Sequence, residues 1–297
     1  MAEQYCTNGE IELCYEAFGD PDDPAVLLIM GLATQMLAWH EAFCEALADR
    51  GFHVIRFDNR DIGRSQRMDG GPPPTPLQLL RRDKRAASYT LEDMARDAVG
   101  LLDHLGIERA HVIGASMGGM IAQTVAARHP ERVLSLVSIM SNTGARRSGQ
   151  PSVRLYPVLL RRPPRDLAGY VRHTEWVLTQ IGSPGFERDR DDMRRLAELS
   201  FERGLNPAGA GRQLAAIIAS GDRTPLLRRI AAPVLVIHGS ADRLVAPSGG
   251  RATARAIPGA RLLIIDGMGH DLPRGAWPRM LDAIEANAAR ARTPAPA

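Results

Sequence analysis

The chain has 297 residues, of which 44% are hydrophobic, enough to bury a core, and 24% are charged, an ordinary share for a globular protein. The net charge is +3, and the arginine pairs are short and lie among acidic residues, so we expect a solvated surface and no nucleic-acid partner. The start of the sequence lacks a signal-peptide profile, and no apolar stretch is long enough to span a membrane, which predicts a cytoplasmic protein.

The three cysteines lie near the N-terminus, at Cys6, Cys14 and Cys44. They form no C-x-x-C motif and share no zinc-binding spacing with a histidine. We therefore expect reduced cysteines, with neither a disulfide framework nor a metal site.

The N-terminal part of the chain alternates between strand and helix patterns. The alternation from Ile11 to Ala17 is typical of an edge strand, and the apolar run Val26 to Met30 is typical of a strand buried on both faces. A helix is predicted from Gln35 to Arg50, ending at Gly51, and another strand from His53 to Phe57.

The same alternation continues through the middle of the chain. A long helix is predicted from Thr90 to Leu105, and Asp93 completes an approximate capping box with Thr90. A strand from Ala110 to Ile113, a helix from Gly119 to Arg128 and a strand from Val133 to Met140 follow.

Strand patterns disappear between about residues 142 and 224. This segment is rich in arginine and proline, with amphipathic helical stretches at Asp166 to Gln180 and Asp191 to Arg203. We interpret it as a helical cap inserted between two strands of the core.

The alternation resumes after this segment. Strands are predicted from Val234 to His238 and from Arg261 to Ile265, and helices from Ser248 to Ile257 and from residue 273 or 274 to 289. Repeated strand–helix units predict an α/β protein with a mostly parallel sheet and helices on both faces. The predicted organisation is a core of residues 1–141 and 225–291, a cap of residues 142–224 and a disordered tail at 292–297.

The pentapeptide Gly114-Ala115-Ser116-Met117-Gly118 lies where a predicted strand passes into a helix. A G-x-S-x-G turn at such a junction is so tight that the serine takes strained dihedral angles and only glycine fits on either side. The Ser116 hydroxyl then stands clear of the backbone, beside the first amides of the helix. An ordinary glycine-rich turn is the alternative, and the position between strand and helix favours a catalytic nucleophile.

A serine nucleophile needs a base, usually a histidine that a carboxylate orients. Functional residues of doubly wound sheets gather in the loops that follow the strands. His270 lies in such a loop, after the last predicted strand and among glycines that allow a close approach. The other histidines begin strands, lie in or at the ends of helices or lie in the cap, and His238 is expected to pack at the end of its strand. His270 is therefore the predicted base.

The predicted acid is Asp242, which follows the strand ending at His238 and can reach the far nitrogen of His270. The alternative for Asp242 is an ordinary Asx turn. Asp266 and Asp271 flank His270 and are expected to be structural. Some hydrolases carry the acid after the strand that ends here near Met140, but serine and asparagine follow that strand, which favours Asp242.

Acyl transfer also needs hydrogen-bond donors for the negative oxygen of the tetrahedral intermediate. One predicted donor is the backbone N–H of Met117, directly after the nucleophile at the positive end of its helix. The second is the N–H of Leu32 in the turn after the buried strand, with Ala33 as the nearest rival. Gly31 permits the close backbone approach, and we expect the Leu32 and Met117 side chains to line the acyl pocket.

A serine, an aspartate and a histidine in this order, each after a strand, resemble the α/β-hydrolase superfamily over about residues 10–289. The stretch from Asp58 to Ser65 resembles the D-x-R-G-x-G-x-S turn of that superfamily, with Asp61 where glycine is usual. Met30-Gly31 replaces the more common His-Gly. Together with the sequence G-M-G-H that ends at His270, these features are most similar to small bacterial esterases of the aclacinomycin methylesterase type.

The resemblance implies an eight-stranded sheet with a helical cap, and hydrolysis of a small-molecule carboxylic ester through an acyl-enzyme without a cofactor. The methylesterase substrate itself does not carry over, because the cap sets specificity. Lactonase, C–C bond hydrolase and cofactor-free perhydrolase activities use the same triad and stay open. A non-catalytic small-molecule-binding protein on this fold is the alternative from another class.

Three aromatic residues are candidates for the substrate pocket: Trp39, Tyr156 and Trp176. Tyr156 and Trp176 lie in the predicted cap, and Trp39 lies in the region that follows the first glycine turn. Packing in the core or within a helix is the alternative for each of them.

Overall fold

A computed structural model describes residues 2–9, 11–68 and 74–291, and an eight-stranded sheet forms its centre, as expected. The predicted tail at 292–297 lies outside the described residues. The strands are β1 (Gln4–Asn8), β2 (Ile11–Phe18), β3 (Ala25–Ile29), β4 (His53–Phe57), β5 (Ala110–Ala115), β6 (Val133–Ile139), β7 (Val234–Gly239) and β8 (Arg261–Ile265).

The strand order across the sheet is β1-β2-β4-β3-β5-β6-β7-β8. The pairs β1–β2 and β2–β4 are antiparallel, whereas the pairs from β4 to β8 are parallel. The carboxyl ends of β3 to β8 therefore open onto one edge of the sheet, where ligands of doubly wound sheets bind.

The prediction that residues 11–17 form an edge strand is wrong. The edge is β1, a mostly polar strand that the apolar pattern did not indicate, and β2 pairs with neighbours on both sides. The polar position Glu16 suggested exposure, but its carboxylate is buried and accepts a 2.7 Å hydrogen bond from Nε of Arg56 on β4. A buried ion pair therefore produced a misleading alternation.

Helices cover both faces of the sheet. They are α1 (Glu41–Ala48), α2 (Pro76–Leu80), α3 (Leu91–His104), α4 (Met117–Arg128), α5 (Tyr156–Leu160), α6 (Leu167–Ile181), α7 (Arg190–Glu202), α8 (Pro207–Ser220), α9 (Thr224–Leu227), α10 (Ser248–Ala256) and α11 (Trp277–Ala289). Among the described residues, no helix combines the length and apolarity needed to cross a membrane.

Two predicted helices can be compared closely with the structure. The capping box at the start of α3 is confirmed, since Thr90 and Asp93 hydrogen bond reciprocally. The helix predicted from Gln35 to Arg50 is shorter than expected. His40 interrupts it and caps α1 instead, because its Nδ1 accepts a hydrogen bond from the N–H of Ala42 at 3.0 Å.

One apolar layer lies on each face of the sheet. Leu91 and Met94 of α3 pack with Ile121 of α4 on one face, and Phe43 of α1 packs with Met280 of α11 on the other. The three cysteines are buried and free. The sheet is thus sandwiched between helices, and its carboxyl edge carries the longer loops.

Between β6 and β7 the described chain forms helices and connecting turns but no strand. These helices dock on the loop after β4, where Arg203 pairs with Asp58 and Arg212 pairs with Asp61. Together with their connecting turns, they also hydrogen bond to the loops that follow β3 and β8. We propose that this helical segment, residues 142–224, is the cap, and that residues 1–141 and 225–291 form the core.

Asp61 anchors the segment in an unusual way. Its backbone is left-handed, with a φ of 72°, at the position where the resembling turn has glycine. Its buried carboxylate receives a two-pronged contact from Arg212, at 2.9 Å from Nε and 2.6 Å from Nη2, and a 2.8 Å hydrogen bond from the Tyr89 hydroxyl. Burial tends to raise the pKa of Asp61, but the donors from Arg212, Met68 and Tyr89 hold it below its usual range.

We expect Arg212→Met to lower the free energy of unfolding by about 3–5 kcal/mol, because it leaves the Asp61 carboxylate buried without its cationic partner. The double variant Asp61→Gly/Arg212→Met should recover most of that loss, since glycine accepts the left-handed backbone and no charge is then buried. Urea denaturation measures both. A double variant as unstable as Arg212→Met would contradict this account of the ion pair.

Candidate active site

Ser116 lies in the expected strained turn between β5 and α4. Its φ is 55° and its ψ is −119°. A Cβ on Gly114 would lie 2.1 Å from the Gly118 carbonyl oxygen, and one on Gly118 would lie 2.0 Å from the Ile29 carbonyl oxygen. Both positions therefore exclude any side chain, and the turn presents the half-buried Ser116 hydroxyl at the carboxyl edge of the sheet.

The structure brings Ser116, His270 and Asp242 together in one chain of hydrogen bonds. His270 Nδ1 lies 2.8 Å from Oδ2 of Asp242, and Nε2 of the same ring lies 2.9 Å from Ser116 Oγ. An ionised carboxylate only accepts, so Nδ1 carries the proton in neutral His270. Nε2 is then the acceptor, and the Ser116 hydroxyl donates to it.

The Asp242 carboxylate is buried and nevertheless well supplied with donors. Its Oδ1 accepts backbone hydrogen bonds from Leu244 and Val245, both at 2.9 Å, so the Asx turn considered as the alternative is also present. Burial tends to raise the pKa of Asp242, but His270 and His238 beside it lower the pKa to about 2. The group is therefore ionised at neutral pH.

His238 contacts the same carboxylate, which sequence reasoning missed. Its Nε2 lies 2.8 Å from the Val245 carbonyl oxygen and 3.4 Å from Oδ2 of Asp242. A carbonyl only accepts, so Nε2 carries a proton and also faces the carboxylate. The ring is fully buried at the end of β7, as expected. Its spacing of four residues before Asp242 was the available signal.

The turn after β3 approaches the nucleophile closely. A Cβ on Gly31 would lie 3.0 Å from the Ser116 Cβ. The Ala33 N–H donates to Oε1 of Gln213 at 3.0 Å, whereas the N–H groups of Leu32 and Met117 have no acceptor among residues 2–9, 11–68 and 74–291. The arrangement favours Leu32 over Ala33 as the second oxyanion donor, and this role stays a prediction.

The two carboxylates that flank His270 bind elsewhere. Asp266 accepts a 2.7 Å hydrogen bond from the Ser240 hydroxyl, and Asp271 accepts one from the Ser183 hydroxyl. Within the described part of the chain, no group of three or more His, Cys, Asp or Glu side chains is arranged to hold a metal ion.

Comparison with known families identifies the fold. A family model described as the alpha/beta hydrolase fold matches residues 24–273. The chain belongs to the α/β-hydrolase family. The resemblance to this family inferred from the motifs is thereby confirmed.

Two curated relatives span nearly the whole length of this hydrolase. It is 32% identical to rhodomycin D methylesterase DnrP of Streptomyces peucetius, over 96% of this chain and 97% of the relative. It is 33% identical, with the same coverage, to rhodomycin D methylesterase DauP of another Streptomyces strain. The crystal structure of the enol-lactonase from Burkholderia xenovorans is also similar. Its TM-score is 0.72 and its identity is 25%, over 97% of this chain and 99% of that one.

The three aromatic candidates for the hydrolase pocket have other contacts. Trp39 is fully buried in the core and stacks on Phe43 with 5.7 Å between ring centroids. The Arg161 guanidinium lies over the Trp176 ring, with its Cζ 4.8 Å from the ring centroid. Tyr156 is 51% exposed at the start of α5. None of these described contacts reaches Ser116, so substrate binding by the three side chains stays a prediction.

We expect ionised Asp242 to stabilise the fold by about 2 kcal/mol at neutral pH, because folding lowers its pKa from 3.8 to about 2. Since the folded-state pKa is the lower one, this stabilisation is present above about pH 4 and is lost as the pH falls toward 2. Urea denaturation measures the free energy of unfolding. The difference in this free energy between wild type and Asp242→Asn should become smaller as the pH falls through that range.

In the His238→Leu variant, the same loss should begin at a higher pH, because the Asp242 carboxylate then lacks one of its donors. His129→Leu, in a histidine outside the site, is the control. A wild-type to Asp242→Asn difference that stays constant from about pH 7 to about pH 2.5 would contradict the assignment of a depressed pKa.

Proposed function

We propose that this α/β-hydrolase cleaves carboxylic esters through an acyl-enzyme formed on Ser116. The observation that carries the proposal is the hydrogen-bonded chain from Asp242 through His270 to a serine in a strained strand–helix turn. A hydroxyl so placed has both a base to remove its proton and free backbone amides beside it, which are the two requirements of acyl transfer.

In the first step, His270 Nε2 takes the Ser116 hydroxyl proton while Oγ attacks the ester carbonyl carbon. Asp242 keeps the Nδ1–H of His270 in place and stabilises the imidazolium without taking the proton. The carbonyl oxygen becomes negative and accepts hydrogen bonds from the N–H groups of Leu32 and Met117. The positive end of α4 points at the same oxygen and favours its charge.

To complete the acylation half of the reaction, the tetrahedral intermediate collapses and the C–O bond to the alcohol breaks. His270 returns its proton to the departing alkoxide, so a neutral alcohol leaves and the acyl group stays on Ser116. Water then replaces the alcohol. His270 removes a proton from the water as its oxygen attacks the acyl carbon. The bond between that carbon and Ser116 Oγ then breaks, His270 returns the proton to Oγ, and the carboxylic acid leaves the free serine.

We propose methyl esters as the substrate class, with rhodomycin D as the first probe. Two methylesterases named for that compound align with this hydrolase over nearly its whole length, including the helical segment. We further propose that the reaction takes place in the cytoplasm, because the three free, buried cysteines suit a reducing compartment.

We expect Ser116→Ala to lower kcat for ester hydrolysis by at least about a thousandfold, because the nucleophile of the proposed acyl-enzyme is gone. Methanol release from rhodomycin D and hydrolysis of p-nitrophenyl esters from acetate to decanoate measure the effect. Ser138→Ala, in a buried serine of the neighbouring strand β6, is the matched control and should keep wild-type kcat within about threefold.

Three results would contradict the proposal. A folded wild type that opens an enol-lactone but cleaves no open-chain ester would make the protein a lactonase. One equivalent of acyl release followed by arrest would indicate a binding protein on a hydrolase fold. Full activity of Ser116→Ala would remove the nucleophile itself from the mechanism.

A further inference from the structure

We propose that the helical segment between β6 and β7 is a working part of the catalytic centre. Ser183 positions the base, and Gln213 positions the oxyanion turn. Neither side chain hydrogen bonds to Ser116, and both act through other residues. The proposal rests on the proposed ester hydrolysis, which gives His270 and Leu32 their roles.

The turn between α6 and α7 runs alongside the loop that carries His270. The backbone N–H of His270 donates to the carbonyl oxygen of Ile181 at 2.7 Å. On one side of this bond, the Gly269 N–H donates to the Ser183 hydroxyl oxygen at 2.8 Å. Further along, the Gly185 N–H donates to the Gly267 carbonyl oxygen at 2.9 Å. Three hydrogen bonds from the helical segment therefore fasten this loop, in addition to those that the core itself makes to it.

Ser183 holds the chain on both sides of His270. It accepts from Gly269, the residue before the histidine, and its hydroxyl donates to the carboxylate of Asp271, the residue after it. The hydroxyl is buried, so no water replaces these bonds if the side chain is removed. A Cβ on Gly269 would lie 2.3 Å from the Gly182 carbonyl oxygen, so the two segments are in direct backbone contact.

Gln213 of α8 holds the oxyanion turn. Its Oε1 accepts from the Ala33 N–H at 3.0 Å, and its Nε2 donates to the Arg60 carbonyl oxygen at 2.9 Å. Ala33 has a left-handed backbone with a φ of 57°, which an alanine adopts at a cost. The bond to Gln213 keeps the turn in that conformation, and the N–H of the preceding Leu32 is left free.

The neighbouring side chain explains why Gln213 can serve as a fixed support. Arg212 grips the buried Asp61 carboxylate from the same turn of α8, next to the point where Gln213 crosses to the turn after β3. A movement that lifts α8 from the core would break this ion pair and release Ala33 together. The site is therefore complete only while the helical segment is docked.

The experiment compares Ser183→Ala, Gln213→Met and their double variant with wild type. Steady-state kinetics with p-nitrophenyl acetate should show kcat lower by about three- to tenfold for Ser183→Ala, with KM nearly unchanged. Gln213→Met should lower kcat by about tenfold or more, because small displacements of an oxyanion donor are costly. The two losses should multiply in the double variant, since each arm acts on a different group.

Two further measurements report on the site without ester turnover. The first is the rate at which diisopropyl fluorophosphate modifies Ser116. His270 takes the hydroxyl proton, the Oγ–P bond forms, the P–F bond breaks and fluoride leaves. This rate should fall in parallel with kcat. The second is the low-field proton NMR resonance of His270 Nδ1–H, which Ser183→Ala should broaden or shift while Gln213→Met leaves it unchanged.

The chain offers a matched control for each variant. Ser220 is a serine of the same helical segment whose hydroxyl oxygen also accepts from a core backbone N–H, that of Leu91 at 3.0 Å. Gln123 is as buried as Gln213 and donates to the Ser138 hydroxyl at 2.9 Å. Ser220→Ala and Gln123→Met should both keep kcat and the modification rate within about twofold of wild type.

The positioning role is overturned if Ser183→Ala and Gln213→Met keep wild-type kcat, modification rate and resonance, or if their losses only equal those of the two controls. Losses confined to KM would also overturn it. If wild type cleaves no ester but is modified at Ser116, the proposed hydrolysis fails while the modification rate still tests both arms. If Ser116 is unreactive as well, the His270 Nδ1–H resonance still tests whether Ser183 positions the base. That variant removes one oxygen, so it remains informative even if Gln213→Met does not fold.

Discussion

Ser116 has a positive φ, a backbone conformation that costs a non-glycine residue about 1–3 kcal/mol. Close packing from three parts of the core holds it in that conformation. The end of β3 lies against Gly118, and the turn after β3 lies against the Ser116 side chain. The first turn of α4 lies against Gly114. Relaxing the strain would need a shift of strands at the centre of the sheet. The hydroxyl position is therefore set by the packing of the whole core, and the base and the oxyanion turn have to be brought to it.

Two buried carboxylates at the carboxyl edge of the sheet, those of Asp242 and Asp61, keep a lowered pKa in the same way. Asp242 receives two backbone N–H groups and two imidazole rings, and Asp61 receives an arginine fork, a backbone N–H and a tyrosine hydroxyl. Each carboxylate is supplied with several donors, which offsets the desolvation that would otherwise neutralise it. The charged Asp242 carboxylate orients His270, whereas the charged Asp61 carboxylate binds Arg212 and so holds α8 against the core.

The helical segment therefore has two relations to the reaction. Its described part contains helices and turns but no strand, unlike the core, which fits a role in substrate selection. On the side that faces the core, Ser183 and Gln213 add hydrogen bonds to the loop of the base and to the oxyanion turn. Changes in this segment can therefore alter substrate specificity only if they keep the contacts of Ser183 and Gln213 with the core. This constraint links the choice of ester to the chemistry performed on it.

Local patterns in the sequence determined the strand–turn–helix around Ser116, the capping box of α3 and the placing of Asp242 and His270 after strands, because each depends on residues a few positions apart. The sequence patterns did not predict β1, because its side chains are mostly polar. Glu16 suggested an exposed edge for β2, because its partner Arg56 lies forty positions away. Only the tertiary structure showed His238 against Asp242, Ser183 against Gly269 and Gln213 against Ala33. The last two pairs join positions 86 and 180 residues apart. These two contacts form only when folding brings distant turns together, so no periodicity or motif in the sequence records them.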